Sequence, residues 1–279
     1  MLFPNCFIEP DSGLEALANP NDALGIEIYS GHQARLRAPE FQGRNRIVDA
    51  LAERLRAFTT PYEDQCSAQY YFDLVSTLRS FHGEFNRLVE VGVFMGGSSA
   101  VFGGLMDVFD YDLDLVDIDA RFLRFAYERI RRTHPEAAKR VRLLHGDLPH
   151  YALQVMAEEA EAKCIVHHDG AHDFPQVVKD MASLSFVSDR ILAIIAQDTH
   201  LRGTPEYMNF VDMALYAVFG TDLAYTPIGT HYEPHDERTQ PNIYQGNYFM
   251  PGVPEGIVIP MAANSFHYPH PSMRPEAFL

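Results

Sequence analysis

Five short apolar runs, each followed by a segment of helical periodicity, constrain this chain more than any other feature of it. The runs are residues 88–91, 113–116, 141–144, 164–167 and 191–196. Helical spacing follows each of them, in residues 98–109, 121–133, 153–162, 174–184 and 205–219. Each unit has the length of a βα unit in a parallel sheet. Right-handed crossovers then place helices on both faces. The expected class is α/β: a doubly wound, mostly parallel, Rossmann-like sheet of about seven strands.

The flanks read differently. Residues 1–43 are rich in Pro, Asn, Gly and Asp and suggest an irregular arm, either a lid or a dimer contact. Residues 44–58 carry Ile47, Leu51, Leu55 and Phe58 on one helical face, and residues 64–81 carry Tyr71, Leu74, Val75 and Leu78. Residues 224–228 and 256–259 suggest an antiparallel pair closing the sheet edge. The loop of residues 229–254 is long and aromatic, as lids and binding loops are. Residues 265–279 suggest a surface tail. The expected organisation is an N-terminal arm with helices (1–82), a cofactor-binding core (83–220), and strands, lid-like loop and tail completing the same domain (221–279).

Composition excludes some partners. A formal net charge of −16 repels nucleic-acid phosphates. No apolar run approaches the length of a membrane span, and the first residues lack a secretory pattern. Cys6, Cys66 and Cys164 are far apart, form no CxxC pair and fit a reducing cytoplasm.

The segment Val89-Glu90-Val91-Gly92-Val93-Phe94-Met95-Gly96-Gly97-Ser98-Ser99 joins the first strand to its helix through a glycine turn. Glycine lets backbone approach a ligand, and the helix start offers free N–H groups. A carboxylate at Glu90 suits a ligand with hydroxyls and a cationic centre better than a bare pyrophosphate. Every expected strand ends at or near an acid: Glu90, Asp117 with Asp119, Asp147, Asp169 and Asp198. In a parallel sheet those ends share one rim, where open α/β sheets bind ligands. Any one acid could instead cap a helix or start a turn. Asp117 stands where an acid grips ribose hydroxyls, and Asp119 suits the helix cap. Asp147, in His145-Gly146-Asp147-Leu148, suits an exocyclic amine or a plain Gly-Asp turn.

The ordered set VEVGVFMGGSS, LDLVDID, VRLLHGDL, CIVHHDGAHDF and ILAIIAQDTH, spanning residues 88–199, resembles the class I S-adenosylmethionine-dependent methyltransferases. It resembles most the small-molecule O-methyltransferases that include sugar- and antibiotic-tailoring enzymes. The resemblance implies that Glu90, Gly92, Gly96, Gly97 and Ser98 hold the methionine part of S-adenosylmethionine. It places the ribose on Asp117 and the adenine on Asp147 with Leu148. In metal-dependent members acids after the fourth and fifth strands bind a divalent cation, which makes Asp169 and Asp198 candidate ligands. The Asn or Asp that often completes the set is replaced by Thr199, followed by His200, so the third ligand is open.

The implied reaction is methylation of a small-molecule hydroxyl. The acceptor proton must leave, by way of a divalent cation such as Mg or of a neutral histidine. His172 is the first candidate base and His200 the second. Tyr232, Tyr244, Tyr248 and Phe249 suit either stacking on an acceptor ring or a satellite core. Three other functions compete. A nicotinamide or flavin oxidoreductase is disfavoured because GVFMGG lacks GxGxxG spacing. A mononuclear metal oxygenase would draw on His167, His168, Asp169 and His172, or on His231, Glu233 and His235. A non-catalytic cofactor-binding protein would keep the cofactor pocket alone. The expected assembly is a homodimer.

Overall fold

The computed structural model describes residues 4–26, 39–56, 58, 66–203, 208–241 and 246–279. The chain forms two compact units, Met1–Asp147 and Leu148–Leu279.

The first unit runs β1 (Cys6–Ile8), α1 (Pro20–Leu24), α2 (Arg46–Leu55), α3 (Ala68–Ser80), β2 (Arg87–Val91), α4 (Gly97–Phe109), β3 (Asp112–Asp117), α5 (Ala120–Thr133), α6 (Pro135–Ala138) and β4 (Val141–His145). Its strands lie in the order β1-β4-β3-β2. β2, β3 and β4 are parallel, with Val91 opposite Val116 and Asp117 opposite His145. That register brings the carboxyl ends of all three to one rim. Leu88, Leu113, Leu115 and Val116 are fully buried, as the apolar runs require. Asp114 is buried among them because Arg142 Nε donates to its Oδ1 at 2.7 Å.

The arm is less irregular than its composition suggests. Cys6–Ile8 is an antiparallel edge strand on β4. Three residues are too few for period-two alternation to show in the sequence. Arg131, on α5, reaches Glu15 at 2.9 Å, and Arg132 Nη2 donates to the Leu14 carbonyl at 3.0 Å. The expected arm also covers residues 27–38, which lie outside the described residues. The helix expected from residue 64 starts at Ala68, where the Ser67 side chain accepts from Tyr70 N at 3.0 Å; residues 64 and 65 lie outside the described residues, as does 57 in the helix before it.

The second unit runs α7 (Leu148–His150) into a π-helical turn (Tyr151–Met156), then β5 (Cys164–His168), α8 (Phe174–Leu184), β6 (Ile191–Gln197), β7 (Leu201–Arg202), α9 (Val211–Phe219), β8 (Thr226–His231), β9 (Tyr248–Phe249) and β10 (Pro254–Pro260). Its main strands lie in the order β5-β6-β10-β8. β5 and β6 are parallel, and β10 runs antiparallel to both β6 and β8. The tail therefore forms the expected antiparallel pair, the first strand starting two residues later and ending three later than expected and the second extended by two residues at its start and one at its end. β7 and β9 form a separate two-stranded ribbon.

The helix expected over residues 153–162 is a correction. Helical structure covers Leu148–Met156 and stops before Glu158, Glu159 and Glu161. Three carboxylates at a helix C-terminus oppose its dipole, whereas the earlier register buries Leu148, Tyr151, Ala152 and Met156. The helix expected from residue 205 begins at Val211; residues 204–207 lie outside the described residues. The fold class is the expected α/β one, with eight main strands among the described residues in place of about seven; β1 is the strand not expected from the sequence. Among the described residues no helix is long and apolar enough to cross a membrane.

Candidate active site

In the first unit the rim is built around the loop between β2 and α4. Gly92, at φ +79°, donates its N–H to the Val116 carbonyl at 2.9 Å and turns the chain out of β2. Glu90 is fully buried and accepts from the Ser98 hydroxyl in the first turn of α4. Asp117 braces the loop from the next strand: its Oδ2 accepts from Val93 N at 2.7 Å and Phe94 N at 3.3 Å, and its Oδ1 from Asp119 N at 2.8 Å. Burial pushes the Asp117 carboxyl above its ordinary range, and these N–H groups pull it partly back. Arg129, buried on α5, donates Nη1 to the Met95 carbonyl and lies 5.6 Å over the Phe58 ring. Gly96 sits at φ +68°, and a Cβ there would fall 2.7 Å from Ala126 Cβ and 2.9 Å from Ala126 Cα. Its glycine is thus required by close packing on α5. Gly97 opens α4.

Asp119 caps α5, accepting from Arg121 N at 2.8 Å, as its position suggested. Asp147 is half-buried and donates its N–H to Asn5 Oδ1 at 3.3 Å. Leu148 is buried, so its side chain belongs to a core. Two rim residues escaped the sequence reading. Ile118 is 54% exposed beside Asp117, with His145 Nε2 3.0 Å from its carbonyl; an apolar residue between two aspartates was the available signal. Asn5 was hidden in the arm.

In the second unit the carboxyl ends of β5 and β6 carry Asp169 and Asp198. His172, in the loop before α8, places Nε2 3.6 Å from Asp169 Oδ1 and 3.3 Å from Asp198 Oδ2. One ligand atom from each of the three lies within 4.8 Å of the others. The His172 carbonyl is anchored by Phe210 N at 3.0 Å. Asp198 adopts φ +57°, a conformation rare outside glycine and tolerated by Asp and Asn. Burial pushes its carboxyl up to about 7, with Asp169 and Glu255 adding to the rise and His172 opposing it. For His172, burial favours the neutral ring, but the Asp169 and Asp198 carboxylates outweigh it and raise the pKa.

The remaining candidates do not join this cluster. Thr199 turns to β10, its hydroxyl donating to the Pro254 carbonyl at 2.6 Å. His200, the second candidate base, lies apart from the cluster. It is buried, stacked 4.2 Å from Phe249 at 8° and 5.7 Å from Tyr232. Burial, with Arg202 and His231 nearby, depresses its pKa to about 3, so it stays neutral and poorly basic. With Arg238 donating to the Tyr232 hydroxyl at 2.9 Å, these rings make a satellite core; Tyr244 lies outside the described residues. His168 pairs with Asp180 at 2.8 Å, and burial lowers the His167 pKa to about 4 and keeps the ring neutral. His231, Glu233 and His235 are exposed, and among the described residues the only metal-capable group is Asp169, His172 and Asp198. The two-histidine set of an oxygenase is not formed there.

No family model and no curated protein matches the chain. Solved structures do. Over 84% of this chain and 99% of the other, it superposes on the calicheamicin methyltransferase CalS11 with a TM-score of 0.50 at 11% identity. This is a methyltransferase fold. Also similar are a candidate O-methyltransferase from Klebsiella pneumoniae (15% identity, 77% of this chain and 88% of that one, TM-score 0.43) and an O-methyltransferase from Bacillus cereus solved with SAH (16%, 54% and 66%, 0.39). In the first unit the acids Glu90 and Asp117 brace the glycine loop; in the second, Asp169 and Asp198 are partners of a histidine.

Proposed function

We propose that this protein is an S-adenosylmethionine-dependent methyltransferase acting on a hydroxyl of a small molecule. The observation that carries the reading is His172 set against Asp169 and Asp198 on a methyltransferase fold. The loop of residues 92–97 and Asp117 would receive the methyl donor. Methyl transfer forms an O–CH3 bond as the S–CH3 bond breaks, and the acceptor must lose a proton. His172, Asp169 and Asp198 take it as one coupled acid–base group, the proton shared between the ring and the two carboxylates. Alignment of the reactants supplies most of the remaining rate.

Two carboxylate oxygens and an imidazole nitrogen so close together also fit a divalent cation of the Mn, Fe or Zn type better than an all-oxygen Mg site. Asp169, Asp198 and His172 would hold it, with His172 in the place that Thr199 does not fill. When bound, the ion would acidify the acceptor hydroxyl. The formal net charge of −16 favours a small acceptor over nucleic acid. We infer a homodimer, to be checked by sedimentation.

Calorimetry with S-adenosylhomocysteine, followed by turnover on a panel of hydroxylated acceptors with Mn2+ or with a chelator, tests the proposal. Micromolar cofactor binding with turnover lost in His172→Ala supports it. Absence of cofactor binding, or full activity of the variant, rejects it.

A further inference from the structure

The N-terminal strand begins beside the place where the adenine would lie. Cys6 pairs with His145, the last residue of β4. The residue before it, Asn5, is therefore carried past the carboxyl end of β4, onto the rim and against the Gly146–Asp147 turn. Three observations fix it there. Asn5 Oδ1 accepts from Asp147 N at 3.3 Å. A Cβ on Gly146 would collide with Asn5 Oδ1 and fall 3.0 Å from Asn5 Cα, so the turn is shaped to receive this residue. Asn5 itself adopts φ +46°, which Asn tolerates better than most residues.

With its oxygen committed to Asp147 N, the amide is oriented, and its Nδ2 is a donor that bonds no described residue. Beside it, the Asp147 carboxylate is an acceptor. An acceptor next to a donor is the pattern that matches adenine, whose exocyclic amine donates and whose N1 and N7 on either side accept. We propose that Asn5 is a specificity-determining residue for the base: it donates from Nδ2 to the ring nitrogen flanking the amine that Asp147 accepts. The inference rests on the reading of the first unit as the S-adenosylmethionine site. It gives the arm a task that a lid or a dimer contact would not have.

The test compares S-adenosylhomocysteine with its 1-deaza and 7-deaza analogues by calorimetry, on the full chain. In the wild type one analogue binds about three- to tenfold more weakly than the parent, the value of one hydrogen bond. In Asn5→Ala the parent weakens by the same factor and that analogue becomes its equal within twofold. Asn5→Gly, which keeps the left-handed backbone without strain, behaves likewise and controls for distortion by alanine. If both variants keep the wild-type discrimination, or weaken all three ligands equally, Asn5 only supports the turn and the inference is overturned. If the wild type discriminates against neither analogue, it is overturned as well. If the wild type fails to bind S-adenosylhomocysteine at all, the underlying assignment falls with it, and the two failures are told apart.

Discussion

At the scale of single residues, the site keeps groups where stability alone would not put them. Asp198 combines a left-handed backbone with a carboxyl crowded by Asp169 and Glu255. Asn is nearly isosteric, tolerates the same backbone and carries no charge. Asp198→Asn is therefore expected to raise the urea midpoint of unfolding while cutting turnover about 100-fold or more. Unchanged turnover would remove Asp198 from the mechanism. Ser98→Ala withdraws a hydroxyl from the fully buried Glu90 carboxylate. A lost hydrogen bond to a charged group costs about 1.5 to 3 kcal/mol, which denaturant unfolding would register; a loss below about 0.5 kcal/mol would mean that the bond contributes little. The acids were legible in the sequence because each follows an apolar run. Their roles were not, since a carboxylate that binds a ligand and one that braces a loop look alike until its partners are seen. Asp117 is the clearest case: it accepts from three backbone N–H groups, none of which the sequence announces.

At the scale of elements, the glycine loop is set by what it packs against as much as by what it would bind. Gly96 touches α5 through Ala126, and Arg129 on the same helix holds the Met95 carbonyl. Gly96→Ala meets both a positive φ and a contact of 2.7 Å, so it is expected to cost about 1 to 3 kcal/mol and to weaken cofactor binding as the loop shifts. Wild-type stability with wild-type affinity would show that α5 does not set the loop. The strand–helix cadence could be read in advance because buried strands and amphipathic helices have different periods. The helix after β4 was misplaced because its apolar residues fit two registers, and only burial at Leu148, Tyr151 and Met156 chose between them. The arm strand escaped because edge strands are short and need no pattern of their own.

For the molecule as a whole, several buried histidines make stability depend on pH. Burial depresses His134 and His167 to about 4 and His200 to about 3. In the unfolded chain each titrates near 6.5, so the unfolded state binds protons that the folded state refuses. Their contribution is fully present above about pH 6.5 and is lost as the pH falls toward 4. Asp198 runs the other way: its carboxyl is raised to about 7, so the folded state gains as acid protonates it. Comparison with one variant isolates the histidine effect. His134 lies in the first unit, its Nδ1 2.9 Å from Thr133 Oγ1. His134→Gln is expected to lose less stability than the wild type between pH 6.5 and 4.5, measured by denaturant unfolding at each pH. Parallel losses in the two proteins would show that His134 does not titrate in this window.

The alternation of apolar runs with amphipathic segments determined the α/β class, and the placement of acids after those runs determined which edge of each parallel set carries the acids. Both follow from local periodicity, which one chain records directly. Tertiary structure alone decided that His172 joins Asp169 and Asp198, that His200 is buried in a ring stack, and that Asn5 reaches the Gly146–Asp147 turn. Those outcomes depend on contacts between residues distant in the chain, or on a loop's exact path, and no spacing rule encodes either.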